Sequence, residues 1–409
     1  VMSVEFLMYF VLRRIFVRTE FSRDMITVTR GLIFRRRYDI PLSAVTKIEI
    51  RRTPVVRLFR GRRVEVSTLS GGVYFYLHIR EEMPFLPEYT GVSVRARPLQ
   101  SAAGAFVDTR AFSGVITFAL LLDRTGSVFG SDSFSRIMSA MFGAAEEVRK
   151  MLAALHIGVP RVTALAAVFV SAAWLLAFVR KAVGMMRFRL SCEGGFITVR
   201  HGIFTLYEYR LVRNNLTACL RCDTLTTLAL GCASLYAHDV LIFPALRRRA
   251  ADRLLTKMCK LPPPQENRVK PPFSALFGHC AAPLGWLAVF AGALLLTFLA
   301  EPTAAGLVQS LLWSGAVISL WYAATYAVYM RKSMAAHSGG VTGLAFRRGA
   351  RLYTAVIPDR KAVYTITGRN IFQRFSGMCD ITVSCAGRKR YKLRNVPYRE
   401  ISEMFTPER

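Results

Sequence analysis

The chain has 409 residues, of which 53% are hydrophobic, and carries 56 Lys and Arg against 26 Asp and Glu, a formal net charge of +30. Soluble nucleic-acid-binding proteins this basic are seldom this apolar, and the mean hydropathy is +0.31. The combination excludes an ordinary basic soluble domain and predicts a membrane protein whose positive charge lies on the cytoplasmic side.

Taken in chain order, residues 1–18 hold an apolar run, Phe6 to Leu12, followed by Arg13-Arg14. Seven apolar residues cannot cross a bilayer, so this segment reads as the end of a truncated transmembrane hairpin, the alternative being a segment that dips into the bilayer. Residues 19–98 read as a small β domain. Ile48 and Ile50 alternate with Lys47, Glu49 and Arg51, and Val64 and Val66 with Arg63, Glu65 and Ser67, the period of a half-buried strand. Residues 102–122 and 162–180 are predicted to form a transmembrane hairpin. The second arm, Val162 to Val179, is 18 residues without a charge. The first carries Asp108 and Arg110, and its alternative is an interfacial helix. The amphipathic segment between them, residues 123–161, is placed outside the membrane. Residues 187–260 read as a second β domain with a closing helix, 261–274 as a Pro-rich linker, 281–300 and 303–330 as another transmembrane hairpin, and 338–407 as a third β domain. Arg180-Lys181 and Arg331-Lys332 end the two hairpins, whereas Glu301-Pro302 links the arms of the second. The positive-inside rule then places all three β domains in the cytoplasm.

The three β segments share a plan. Gly31, Gly202 and Gly349 follow a first strand; Pro41, Leu211 and Pro358 end a second; Gly61, Gly231 and Gly377 come about 28–30 residues after the first glycine, at turns that favour positive φ. Because sheets of this size leave edges to cover, strand pairing between repeats is expected.

Residues 40–50, I-P-L-S-A-V-T-K-I-E-I, and then R-L-F-R-G-R-R-V-E-V, resemble the bacterial pleckstrin-homology (PH) domain of YdbS/YdbT-like membrane proteins. The resemblance is specific in the first segment, fair in the third and faint in the second. It implies an α+β membrane protein in which transmembrane helical hairpins alternate with three small PH-like antiparallel β domains. Each would be a bent seven-stranded sheet capped by a C-terminal helix. It also implies work beside a single-domain sister protein.

Between Arg13 and Glu82 lie 16 Lys and Arg against 7 Asp and Glu. Arg35, Arg36, Arg37, Arg60, Arg62 and Arg63 are the candidate lipid-binding residues, since anionic head groups attract such cations by ~1 kcal/mol each. Alternation sets Arg36 on the opposite face from Arg35 and Arg37, and the bland alternative is that these arginines only fix topology. Arg388, Lys389, Arg390, Lys392 and Arg394 form a second basic strand. Cys219 and Cys222 lack the further ligands of a zinc site and read as a structural pair. P-loop, zincin, nucleophile-elbow and dinucleotide motifs are absent. The expected function is therefore a non-enzymatic scaffold at the inner leaflet of a bacterial plasma membrane, without cofactor, metal or nucleic-acid partner. The alternative is a transporter or channel component, which would depend on Asp108 or Arg110.

Overall fold

The structure is a computed structural model. It describes residues 17–22, 24–31, 35–78, 93–108, 131–154, 161–193, 195–259, 268–300, 306–338, 340–367, 371–385 and 389–405. The expectations for residues 1–16, for a closing helix near 79–92, and for the span at 109–122 lie outside the described residues.

The first β unit opens with the antiparallel strands β1 (Val17–Phe21), β2 (Met25–Arg30) and β3 (Arg36–Pro41). A 3-10 turn, Leu42–Ala44, leads into β4 (Val45–Arg52). A short helix, α1 (Pro54–Leu58), precedes β5 (Gly61–Thr68) and β6 (Gly72–His78). Thr53 starts α1 by accepting a hydrogen bond from the Val56 N–H, and Pro54 suits its first turn. The period-2 alternation puts Ile48, Ile50, Val64, Val66 and Phe75 on one face, packed against Ile26, Val28 and Ile40. Burying each such side chain stabilises the fold by roughly 1.5–3 kcal/mol.

Next come β7 (Ser93–Arg95), α2 (Pro98–Asp108), α3 (Ser131–Ala154) and α4 (Arg161–Gly184). The second β unit contains β8 (Arg189–Glu193), β9 (Phe196–His201), β10 (Leu206–Val212), a 3-10 turn at Arg213–Asn215, β11 (Cys219–Asp223), α5 (Leu225–Ala229), β12 (Cys232–Ala237), β13 (Val240–Arg247) and α6 (Arg248–Cys259). Then follow β14 (Arg268–Val269) and two long helices, α7 (Ala275–Ala300) and α8 (Gly306–Lys332). The third unit has β15 (Met334–Ser338), β16 (Val341–Arg348), β17 (Arg351–Pro358), a 3-10 turn at Asp359–Lys361, β18 (Ala362–Thr367), α9 (Ile371–Phe375), β19 (Met378–Cys385), β20 (Lys389–Pro397) and α10 (Tyr398–Phe405).

Each unit has its own hydrophobic core, yet the sheets do not stop at the unit boundaries. One seven-stranded sheet runs β6-β5-β4-β10-β9-β8-β7, and a second runs β13-β12-β11-β17-β16-β15-β14. The last strands of one unit are thus continuous with the first strands of the next. Three-stranded sheets, β1-β2-β3 and β18-β19-β20, lie at the two ends. In place of the expected seven-stranded sheet in each of three units, the described residues form two such sheets, each shared between two units.

Both junctions use one register. Arg210, three residues before its 3-10 turn, faces Ile48, four residues after the preceding turn. Val356, three before its turn, faces Cys219, four after. The turns are pinned alike. The Asn215 side-chain amide donates to the carbonyls of Ser43 and Val45 at 2.8 and 2.7 Å. Lys361 donates to the carbonyls of Asn214 and Leu216.

Several sequence boundaries shift because strand edges were filled from a distance. Ser93–Arg95, expected in the first domain, pairs with β8 of the second unit. Arg268–Val269, expected in the linker, pairs with β15, and Val269 is buried. The helix expected from residue 102 begins at Pro98, and a Cβ on Gly104 would lie 2.5 Å from the Pro244 side chain of β13. Its described part therefore packs on the second β unit.

Two stretches, Ala167–Gly184 and Ala275–Thr297, are long and apolar enough to cross a membrane, and only 11% and 17% of them is buried in protein. α7 and α8 pack antiparallel: Cys280 lies by the Ala323 carbonyl, and Gly315 lies against the Phe290 ring. Trp286, Leu296, Trp313 and Trp321 stay exposed on these helices, an apolar surface that suits a bilayer.

Candidate functional site

The six arginines singled out from the sequence occupy two different sheets of the first unit. Arg35, Arg36 and Arg37 are all exposed at or beside β3. The Arg37 Nε lies 3.0 Å from Asp39. Hydrogen bonds from Thr27 and Arg37 hold the Asp39 carboxyl below its ordinary value. Arg60, Arg62 and Arg63 lie at the start of β5. Arg63 reaches Glu65 at 3.4 Å and sits 4.7 Å above the Tyr74 ring. Arg60 adopts φ +48°, and the matching turn positions before β12 and β19 are Gly231 at +65° and Gly377 at +66°. The repeat glycine thus aligns with Arg60 rather than Gly61, and an arginine is held there in a conformation that costs about 1–2 kcal/mol.

Among the described residues, none of the six lines either of two basic cavities. The larger, of about 770 Å³, opens where the C-terminal end of α4 meets the first sheet junction. Arg180 and Lys181 line it from α4, Lys47, Glu49 and Arg51 from β4, and Tyr207 and Tyr209 from β10. Glu49 holds Lys47 at 3.2 Å and Arg51 at 3.4 Å. Arg51 lies 4.9 Å from the centre of the Tyr207 ring directly opposite it on β10, a cation–π contact.

His201 also lines this cavity. It stacks between Phe188 and Tyr207 at 5.5 and 5.2 Å, with Nδ1 2.8 Å from the Gly184 carbonyl oxygen. Burial lowers its pKa, and Lys181 adds to the effect, while the Gly184 bond and Glu49 oppose it. The unfolded chain therefore takes up a proton near pH ~6.5 that the folded chain refuses. Thermal stability is expected to be full above that pH and to decline below it. The His201→Phe variant should decline less between pH 7.5 and 5 when melting temperature is followed by calorimetry.

The second cavity, of about 400 Å³, lies at the foot of the α7–α8 pair. Arg347 and Arg348 of β16 and Arg390, Lys392 and Arg394 of β20 line it with His279, Ser333, Phe346, Gly349 and Leu393. The β20 cations recur at every second residue and so share one face. Asp380 takes one of them, Lys392, at 2.9 Å, while Arg347 packs 3.4 Å over the Tyr326 ring of α8. Three of the five residues read from the sequence as a basic strand are therefore in the cavity. Lys389 begins β20, and Arg388 is outside the described residues. Arg347 and Arg348 were missed, because a basic pair ending a strand carries no local sign of what it will face.

Cys219 and Cys222 are buried on β11 and form no disulfide. Residues 2–103 match the family model described as "Bacterial PH domain". No curated protein matches the chain, and no solved structure does. The match covers the first β unit, whose two half-sheets enclose one core, and leaves the second and third units beyond it. The N-terminal β unit of this chain is thus similar to the bacterial PH domain over residues 2–103.

Proposed function

We propose that this chain is a multi-pass scaffold of the bacterial plasma membrane, with three PH-like units at the inner leaflet that contact anionic lipid head groups, and with no catalytic role. The observation that carries this reading is the second cavity. It gathers five cationic side chains, with no carboxylate in its lining, at the foot of α7, which is long and apolar enough to cross a membrane, and of its neighbour α8. Cations at that depth meet the phosphates of the cytoplasmic leaflet, where each contributes about 1 kcal/mol. The Arg180-Lys181 end of α4 presents the same chemistry at the first cavity. The doublets Arg180-Lys181 and Arg331-Lys332 favour a cytoplasmic location for these helix ends.

The test is lipid-dependent stability of the full chain in a nonionic detergent. Phosphatidylglycerol is expected to raise the melting temperature, by the equivalent of about 2.7 kcal/mol at a hundredfold excess over its Kd. Phosphatidylcholine should raise it much less. Arg390→Gln, Lys392→Gln and Arg394→Gln together should shrink the difference. Equal stabilisation by both lipids, or an unchanged difference in the triple variant, would overturn the reading.

A further inference from the structure

The two junctions inside the chain define a rule, and the two ends of the chain satisfy both halves of it. In each junction, the strand entering a 3-10 turn pairs with the strand leaving the preceding unit's turn: β10 with β4, and β17 with β11. The corresponding strands at the ends are β3, which enters Leu42–Ala44, and β18, which leaves Asp359–Lys361. Among the described residues, β3 pairs only with β2 and β18 only with β19. Among the described residues, each therefore has one edge without a strand partner.

An open edge is ordinarily protected by charge, proline or a bulge. β18 reads Ala-Val-Tyr-Thr-Ile-Thr and has none of these, and Val363 is 67% exposed. Pro41 ends β3, but Pro358 holds the same place in β17 and does not prevent the second junction.

We propose that a second copy of this chain lays its β3 antiparallel along β18, extending the β18-β19-β20 sheet as the internal junctions do. The shared register then sets Thr365 opposite Asp39 of the other copy, Tyr364 opposite Ile40, and Ile366 opposite Tyr38. Such a contact is head-to-tail, so it propagates into a ring or an open row of molecules. It also differs from the internal junctions in one respect. Asn215 and Lys361 each tie their turn to two carbonyls of the preceding unit, but the equivalent residue of the first unit is Ala44, which has no donor to offer the carbonyls of Arg360 and Ala362. The contact between copies lacks this clamp and is weaker than the junctions within the chain.

The experiment uses two differently tagged full-length chains mixed in phosphatidylglycerol-containing nanodiscs large enough for several copies. One carries Asp39→Cys and the other Thr365→Cys, with each variant alone as background for the eight native cysteines. Mild oxidation is expected to give a disulfide-linked pair of chains, and more of it when Ala44→Asn supplies the missing donor. A pair displaced by two residues, Asp39→Cys with Val363→Cys, should give less. An intrachain pair across the first junction, Arg52→Cys with Leu206→Cys, shows that the oxidant reaches this geometry. Equal yields from matched and displaced pairs would overturn the proposal. So would no interchain product where the intrachain control oxidises, which would assign these edges to a different protein, and so would an Ala44→Asn variant that changes nothing.

Discussion

Replacing Glu208 by Ala is expected to lower stability by about 3 kcal/mol, read as a lower midpoint in chemical denaturation. Glu208 sits on β10, opposite Ile50 of the preceding unit, within the strand that makes the first junction. Its carboxylate lies 3.1 Å from Arg200 Nε and 2.8 Å from Arg210 Nε. Burial alone would raise its pKa, but the two guanidinium groups outweigh burial and hold it below the usual carboxylate value. Removing it takes from Arg210, whose side chain is 13% exposed, the carboxylate 2.8 Å from its Nε. The figure is placed at the low end of the range for a broken buried pair because Arg200 is 39% exposed and partly hydrated. Replacing both Glu208 and Arg210 by Leu should recover most of the loss, since no buried charge is then orphaned. An equal loss in the double variant would mean that sheet packing, not charge, sets the cost. The folded carboxyl has the lower pKa, so its contribution is complete above the unfolded value near ~4.3 and is lost as pH falls below it.

Gly202→Ala is expected to be at least as damaging, whereas Gly349→Ala should cost only about 1–2 kcal/mol. Both glycines follow a strand at corresponding places in the repeat and have positive φ, +105° and +61°. At Gly349 an added Cβ meets nothing within 4 Å, and its φ is one that L-residues adopt at modest cost. At Gly202 the Cβ would stand 2.0 Å from the Thr205 carbonyl oxygen. That neighbour is backbone, so the turn that feeds β10 into β4 must open, at about 3 kcal/mol or more. Chemical denaturation of the two variants side by side checks this. Equal losses would show that dihedral strain alone governs both turns.

These two glycines show where sequence stops. Spacing identified both as turn residues, but only the neighbouring carbonyl separates them. What the sequence by itself determined is local: alternation that makes β4 and β5 half-buried strands, turn signals every few residues, charge-free stretches long enough to cross a bilayer, and the period-2 cations of β20. These follow from side-chain periodicity and chain stiffness, which neighbouring residues set between themselves. The tertiary structure decided which edges meet. It placed Ser93–Arg95 and Arg268–Val269 in the sheets of the following units, aligned Arg60 rather than Gly61 with Gly231 and Gly377, and gathered Arg51, Tyr207 and Arg180 from three elements into one cavity. A strand's backbone offers the same donors and acceptors to any partner. The choice between a strand of its own unit and one more than 150 residues away is settled by core packing and turn contacts such as that of Asn215 with Ser43, which no local pattern encodes.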